Sequence, residues 1–217
     1  LGHAVKAIIA PDKRFTGISY FDLSNTLAGQ AFALMGDDLD KITVGAFGRQ
    51  KGKAHLPNIV REMFGHNTGD KTARELSKGW LRVSDFLVES FNAAGGSMRK
   101  LDRYLPQSHN ATKLLRHGED TFVKDHLKLV DWNRTRWPDG TMIKPEEREE
   151  VLKALFDTQS SDGINKLDPK SLRGRGQAVG NMLDNHRFLH YTDAEAWITA
   201  QEKYGDGNIF DVMARHI

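Results

Sequence analysis

Residues 69–94 carry the longest run of regular hydrophobic spacing in the chain, and it has a helical period. Ala73, Leu76, Trp80, Leu81, Val83, Leu87, Val88 and Phe91 set an apolar stripe on one side of a helix. Gly79 interrupts it at a cost of about 1 kcal/mol relative to Ala, a cost offset where a neighbouring helix crosses closely. Ala93-Ala94-Gly95-Gly96 closes the run. A second run over 22–36 places Phe21, Leu23, Leu27, Ala31, Leu34 and Met35 near the same period, with Ser24 or Asn25 as its cap. Nowhere do strands and helices alternate as a parallel sheet requires. The expectation is a mostly-α fold, an irregular helical bundle with one or two short strands near 16–21, 141–143 and 187–191.

The rest of the chain fits this reading. Pro57 suits the first turn of a short helix over 56–64. A piece from Ser97 to Tyr104 starts on a Ser cap and stops before Pro106. Asn110 to Leu115 reads as helical and ends at Gly118. Asp120 to Trp132 is amphipathic through Phe122, Val123, Leu127 and Val130. Trp137-Pro138-Asp139-Gly140 is a turn, because proline presets φ and glycine takes the positive φ. Pro145-Glu146-Glu147 opens a helix to about Thr158, with Val151, Leu152, Leu155 and Phe156 on its buried face. Residues 159–176 are polar and Gly-rich, a mobile loop. Thr192-Asp193-Ala194-Glu195 reads as a capping box, with Thr192 as cap and Glu195 reaching back. Trp197 follows on that helix, Gly205 and Gly207 end it, and Asn208 caps the next. Gly45, Gly48 and Gly52 mark a connector. Three segments follow: residues 1–53, a helical unit over 54–104, and another over 105–217. The chain begins at Leu1 and stops at Ile217 inside a helical pattern, so it reads as a piece of a longer polypeptide.

Composition narrows the chemistry. There are no cysteines among the 217 residues, which excludes disulfides, thiolate metal sites and cysteine nucleophiles. No apolar run approaches the length of a membrane span, so no integral membrane segment is expected. A formal charge of +2 permits nucleic-acid contact without arguing for it. No motif implies a cofactor. His186 and His190 have a spacing that binds zinc on a helix, but on an extended segment they stand roughly 13 Å apart. His109, His117 and His126 cluster in sequence around Asp120 and Asp125, the one place where acid–base chemistry could gather. Gly45, Gly48, Gly52 and Lys53 only superficially resemble a phosphate loop, since Ala54 stands where Ser or Thr is needed. No Gly-x-Ser-x-Gly elbow occurs. Lys170, Arg173 and Arg175 form the best basic patch, and Arg134 and Arg136 beside Trp137 suit single-strand stacking. Trp80, Trp132, Trp137 and Trp197 read as packing residues.

The stretch His186-Arg187-Phe188-Leu189-His190-Tyr191-Thr192-Asp193-Ala194-Glu195-Ala196-Trp197, with Tyr204-Gly205-Asp206-Gly207-Asn208-Ile209-Phe210-Asp211-Val212-Met213-Ala214-Arg215-His216-Ile217, resembles a segment of the large internal virion (ejection) proteins of tailed bacteriophages. Arg103-Tyr104-Leu105-Pro106-Gln107-Ser108-His109 is similar to another recurring piece of them. The resemblance covers 101–217 better than 1–100 and includes no catalytic signature. It implies a helix-rich, non-enzymatic structural protein stored in the capsid interior near the portal, delivered into the host cell with the genome. Its partners would be other virion proteins, copies of itself, and viral DNA. Cysteine-free helical modules with local contacts re-form quickly after passage through a channel. Two other readings stay open: a phage-encoded hydrolase acting on peptidoglycan or nucleic acid, and a non-specific DNA-binding module. A hydrolase needs acids and histidines converging in a pocket, a DNA binder needs its cations on one face, and an assembly protein needs an exposed apolar patch.

Overall fold

The computed structural model describes residues 19–35, 53–96, 98, 100, 105–137, 140–163 and 188–216. Among them are eight α-helices: α1 (Tyr20–Met35), α2 (Leu56–Met63), α3 (Lys71–Ala93), α4 (Ala111–His117), α5 (Glu119–Leu129), α6 (Arg148–Ser160), α7 (Ala194–Tyr204) and α8 (Ile209–His216). Single 3-10 turns, Lys53–His55 and Pro145–Glu147, lead into α2 and α6. The fold is a helical bundle with almost no strand, as the hydrophobic period predicts. The connector at 45–52, most of the 97–104 piece, Pro138-Asp139 and His186 lie outside the described residues.

Side chains that satisfy the first free amides set where the helices begin. Asp70 Oδ1 accepts from Ala73 N at 3.1 Å to open α3, and Asn110 Oδ1 accepts from Lys113 N at 2.9 Å to open α4. Asn208 Oδ1 receives the amides of Phe210 and Asp211 at the start of α8. Two starts differ from expectation. Ser19 caps α1, accepting from Asp22 N at 3.1 Å and donating to Asp22 Oδ2 at 2.7 Å, so Tyr20 and Phe21 form a first turn rather than a strand. Asp193, not Thr192, caps α7 by accepting from Ala196 N at 2.8 Å. A carboxylate in that position is also favoured by the helix dipole. Glu195 turns outward and pairs with Arg61 Nε at 2.6 Å, tying α7 to α2. The last turn of α6 runs to Ser160, two residues past the expected end.

The expected strands near 141–143 and 187–191 shrink to isolated antiparallel bridges, Arg136 with Met142 and Val130 with Tyr191. Trp137 N donates to Thr141 O at 2.9 Å and Gly140, at φ 83°, donates to Trp137 O at 2.8 Å, closing a tight turn. Asp131 N donates to His190 O and Thr192 N to Leu129 O, which stitches the lead into α7 against the end of α5.

Packing follows the apolar stripes. α1 and α2 lie on α3, α4 and α5 pack with α6, and α7 touches α2, α4 and α5. Trp80 is fully buried with Ile59, Met63 and Leu76, and Leu114, Phe122 and Leu152 fill the second half of the same core. Each such side chain contributes about 1.5–3 kcal/mol through removal from water. Gly79 faces the end of α1: a Cβ there would lie 3.5 Å from Met35 Cα and O. The crossing is close, yet that distance is ordinary contact, so the packing tolerates alanine. Nearby, Arg82 Nη2 donates to Leu34 O at 3.1 Å, satisfying a free carbonyl at the end of α1.

Candidate functional site

One face of α7 carries Trp197, Ala200, Gln201 and Tyr204 at helical spacing, and all four line a cavity of about 190 Å³. The opposite wall comes from α5 through Phe122 and His126, and from the segment before α4 through Gln107, Ser108 and His109. Tyr191 and Gln159 complete it.

His126 is buried at 2% exposure. Its ring stacks on Phe122 with centroids 3.9 Å apart and stands 5.2 Å from the Tyr204 ring. Nδ1 lies 2.9 Å from Phe122 O. A carbonyl can only accept, so Nδ1 carries the proton and Nε2 the lone pair. Burial pushes the imidazole down to about 4, against the opposing pull of that carbonyl and of Asp125, and with nearby Lys203 adding to the fall. His126 is therefore neutral at pH 7.

Asp125, the preceding residue of α5, also meets Tyr204. Its Oδ2 accepts from Lys203 Nζ at 2.5 Å and from Tyr204 Oη at 2.7 Å. Burial opposes ionisation of Asp125, but Lys203 and Tyr204 outweigh it and hold the carboxyl below its usual range. For Tyr204, burial first and the Asp125 bond second push the phenol far up, so it stays protonated. The triad α5-Asp125, α7-Lys203 and α7-Tyr204 is a clamp between two helices.

The polar floor of the cavity is similarly committed. Gln201 Nε2 donates to Ser108 Oγ at 2.7 Å, and Ser108 Oγ accepts from Asp206 N and donates to Asp206 O, both at 3.0 Å. Lys113 Nζ donates to Gly205 O at 2.8 Å, and Gln107 Nε2 to Leu189 O at 3.0 Å. Gly205 is required by this knot: a Cβ on it would sit 2.3 Å from Gln201 Cδ and 2.5 Å from Gln201 O.

Of the histidine–acid cluster read from sequence, the fold brings His109 and His126 to one cavity, sets His117 edge-on to Tyr204 at 5.5 Å, and leaves Asp120 exposed on the first turn of α5. His109 Nε2 lies 3.6 Å from Asp162 Oδ1, at the surface. Lys203, Tyr204, Gln201 and Ser108 were not foreseen. The spacing of Trp197, Gln201 and Tyr204 on α7 was the available signal.

The other site residues are placed as follows. Arg134 is exposed. Arg136 Nε donates to Asn133 O at 3.0 Å and its Nη1 to Gly140 O at 3.3 Å, so its guanidinium closes the 137–140 turn. Lys170, Arg173 and Arg175 lie outside the described residues. Trp80, Trp132 and Trp197 are buried, and Trp137 packs half-buried against the core. The Trp132 ring carries the Arg148 guanidinium 4.9 Å from its centroid, and its Nε1 donates to Leu127 O. His190 uses its main chain, donating to Thr135 Oγ1 at 3.1 Å. Among the described residues, no group of three His, Asp or Glu is arranged to hold a metal ion, and no helix is long and apolar enough to cross a membrane.

No protein-family model matches this chain, and neither a curated protein nor a solved structure matches it.

Proposed function

We propose that this chain is a non-enzymatic assembly module of an internal virion protein of the tailed-bacteriophage type, stored in the capsid near the portal and ejected with the genome. The observation that carries the reading is α1. It has one charged side chain, Asp22, and exposes Tyr20, Phe21, Leu23 and Phe32 to solvent. A surface helix that apolar on several sides is covered in its working state. Two further features favour cohesion over reaction. The acids and histidines nearest the cavity have partners within the fold: Asp125 is held by Lys203 and Tyr204, His126 by the Phe122 carbonyl, and His109 lies beside Asp162. The stretches that resemble ejection proteins contribute Ser108, Tyr204 and Gly205 to the clamp and knot that tie α7 to α5 and α4.

The test is quantitative mass spectrometry of purified particles. The reading expects this chain as a stoichiometric component in several copies per particle. Peptides found in infected cells but missing from particles would refute it.

A further inference from the structure

The cavity against α7 carries hydrogen-bonding groups that the fold does not use. Trp197 lines it at 2% exposure, and the buried indole Nε1 has no hydrogen-bond partner among the described residues. A buried donor in that state is rare in a native interior and calls for an acceptor. On the opposite wall His126 spends its Nδ1 proton on Phe122 O, so Nε2 is an acceptor with no partner among the described residues. Gln201 adds another. Its Nε2 lies 2.7 Å from Ser108 Oγ, 3.3 Å from Asp206 O and 3.1 Å from Gly207 O. Carbonyls only accept, so that atom is the amide nitrogen, and Oε1 remains as a second acceptor.

Size, shape and charge narrow the occupant. The volume of about 190 Å³ exceeds the roughly 150 Å³ that accepts a benzene ring and falls short of the ~300 Å³ at which sites for drug-sized ligands begin. Five rings wall the space, Phe122, His126, Tyr191, Trp197 and Tyr204, and such walls favour a flat ring stacked or set edge to face. No Lys, Arg, Asp or Glu lines the cavity among the described residues, and His126 is neutral. An ion entering would lose its water with no counter-charge to replace it. A wholly apolar ring would leave the Trp197 donor and both acceptors stranded.

We infer that this cavity binds a small, uncharged, planar heterocycle that carries a carbonyl beside an N–H, the chemistry of a free pyrimidine base. The carbonyl accepts from Trp197 Nε1, and the ring N–H groups donate to His126 Nε2 and Gln201 Oε1. The exposed members of the lining, Gln107 and His109, mark the mouth. No lysine or arginine stands there to meet a phosphate, which favours a free ring over the base of a nucleotide. Binding of this kind involves no bond making or breaking, and it stands whether or not the chain is a virion component.

The experiment is a ¹H–¹⁵N NMR titration of the full chain with uracil, with benzene as the apolar probe of similar size, benzoate as the anionic one, and uridine 5′-monophosphate as the nucleotide. The chain has four tryptophans, and loss of one indole signal in Trp197→Phe identifies that of Trp197. Uracil should move this signal saturably, with a dissociation constant on the order of 1 mM or tighter, and leave the other three in place. Benzene, benzoate and the nucleotide should each bind at least about tenfold more weakly. His126→Phe keeps a flat ring but removes the acceptor, and should weaken uracil at least about tenfold. Ala200→Leu, which fills space at a lining position, should abolish the shift. Circular dichroism melts confirm that the variants fold, and the wild-type titrations decide the matter even if one does not. No saturable shift up to the solubility limit of uracil, the result for a cavity that holds water alone, would overturn the inference. So would benzene, benzoate or the nucleotide binding as tightly as uracil, or an undiminished shift in folded Ala200→Leu.

Discussion

Acidification should begin to loosen this fold above the range in which carboxylates titrate, and His126 is the reason. In the unfolded chain an imidazole titrates near 6.5, whereas burial holds His126 at about 4 in the fold. The folded state then binds fewer protons than the unfolded state between those values, so stability falls as pH falls. It is fully present above pH 6.5 and lost progressively down to about pH 4. At 1.36 kcal/mol per unit of difference, the total loss is about 3 kcal/mol, with about 2 kcal/mol gone by pH 5. That is a large share of the 5–15 kcal/mol typical of a domain. The carboxyls held below their usual range, Asp70, Asp125, Glu62, Glu195 and Asp206, act in the same direction, but mainly from about pH 4.5 downward. The window between pH 7 and 5 isolates the histidine. Urea denaturation at intervals across it gives the curve directly. The variant His126→Phe keeps a flat ring against Phe122 and carries no titrating group, so its curve should be flatter by about 2 kcal/mol over the same window. Equal slopes for wild type and variant would refute the burial argument.

Three further perturbations have signs set by the structure. Gly79→Ala should stabilise by about 0.5–1 kcal/mol, measured by thermal or urea unfolding, because it improves helix propensity and its methyl meets Met35 at ordinary contact distance. Gly205→Ala should destabilise by about 1–3 kcal/mol in the same assay, since the new methyl collides with the side chain and carbonyl of Gln201 and breaks the knot to Ser108. Asp70→Ala removes the α3 cap and the carboxylate that His55 and Asn58 share, with contacts of 2.6 and 3.1 Å. It should cost about 1–2 kcal/mol. Burial opposes ionisation of Asp70, but His55, the Ala73 amide and Asn58 outweigh it and hold the carboxyl at about 2. The difference between wild type and Asp70→Ala should therefore shrink only as pH falls from about 4 to 2.

The helices were legible because their signal is local. The stripe through Ala73, Leu76, Trp80 and Val83 is buried on α3, and Asn208 caps α8 as its position suggested. Caps misplaced by one residue at α7 and by five or six at α1 show where local reading fails. Thr192 and Asp193 are both good caps, and the choice fell to Asp193 because the 188–192 segment is already pinned to α5 through Thr192 N and Leu129 O. Glu195 fits a capping box in sequence, yet its carboxylate is claimed by Arg61, more than a hundred residues earlier. The cavity was half visible. His109 and His126 stood out as titratable groups, but their partners come from far along the chain: Ser108 meets Gln201, and Asp125 meets Lys203 and Tyr204. Pairings at that separation leave no trace in periodicity. At Gly79 the end of α1 does pass close by, but only the actual distance to Met35 shows that a methyl fits there.

The claim that this chain is a structural passenger of the particle is tested most directly by protease treatment of purified virions before and after the capsids are opened. The account predicts that the chain is protected in intact particles, becomes digestible once they are opened, and is present in multiple copies. A chain degraded equally in intact particles, or not found in them at all, would contradict it.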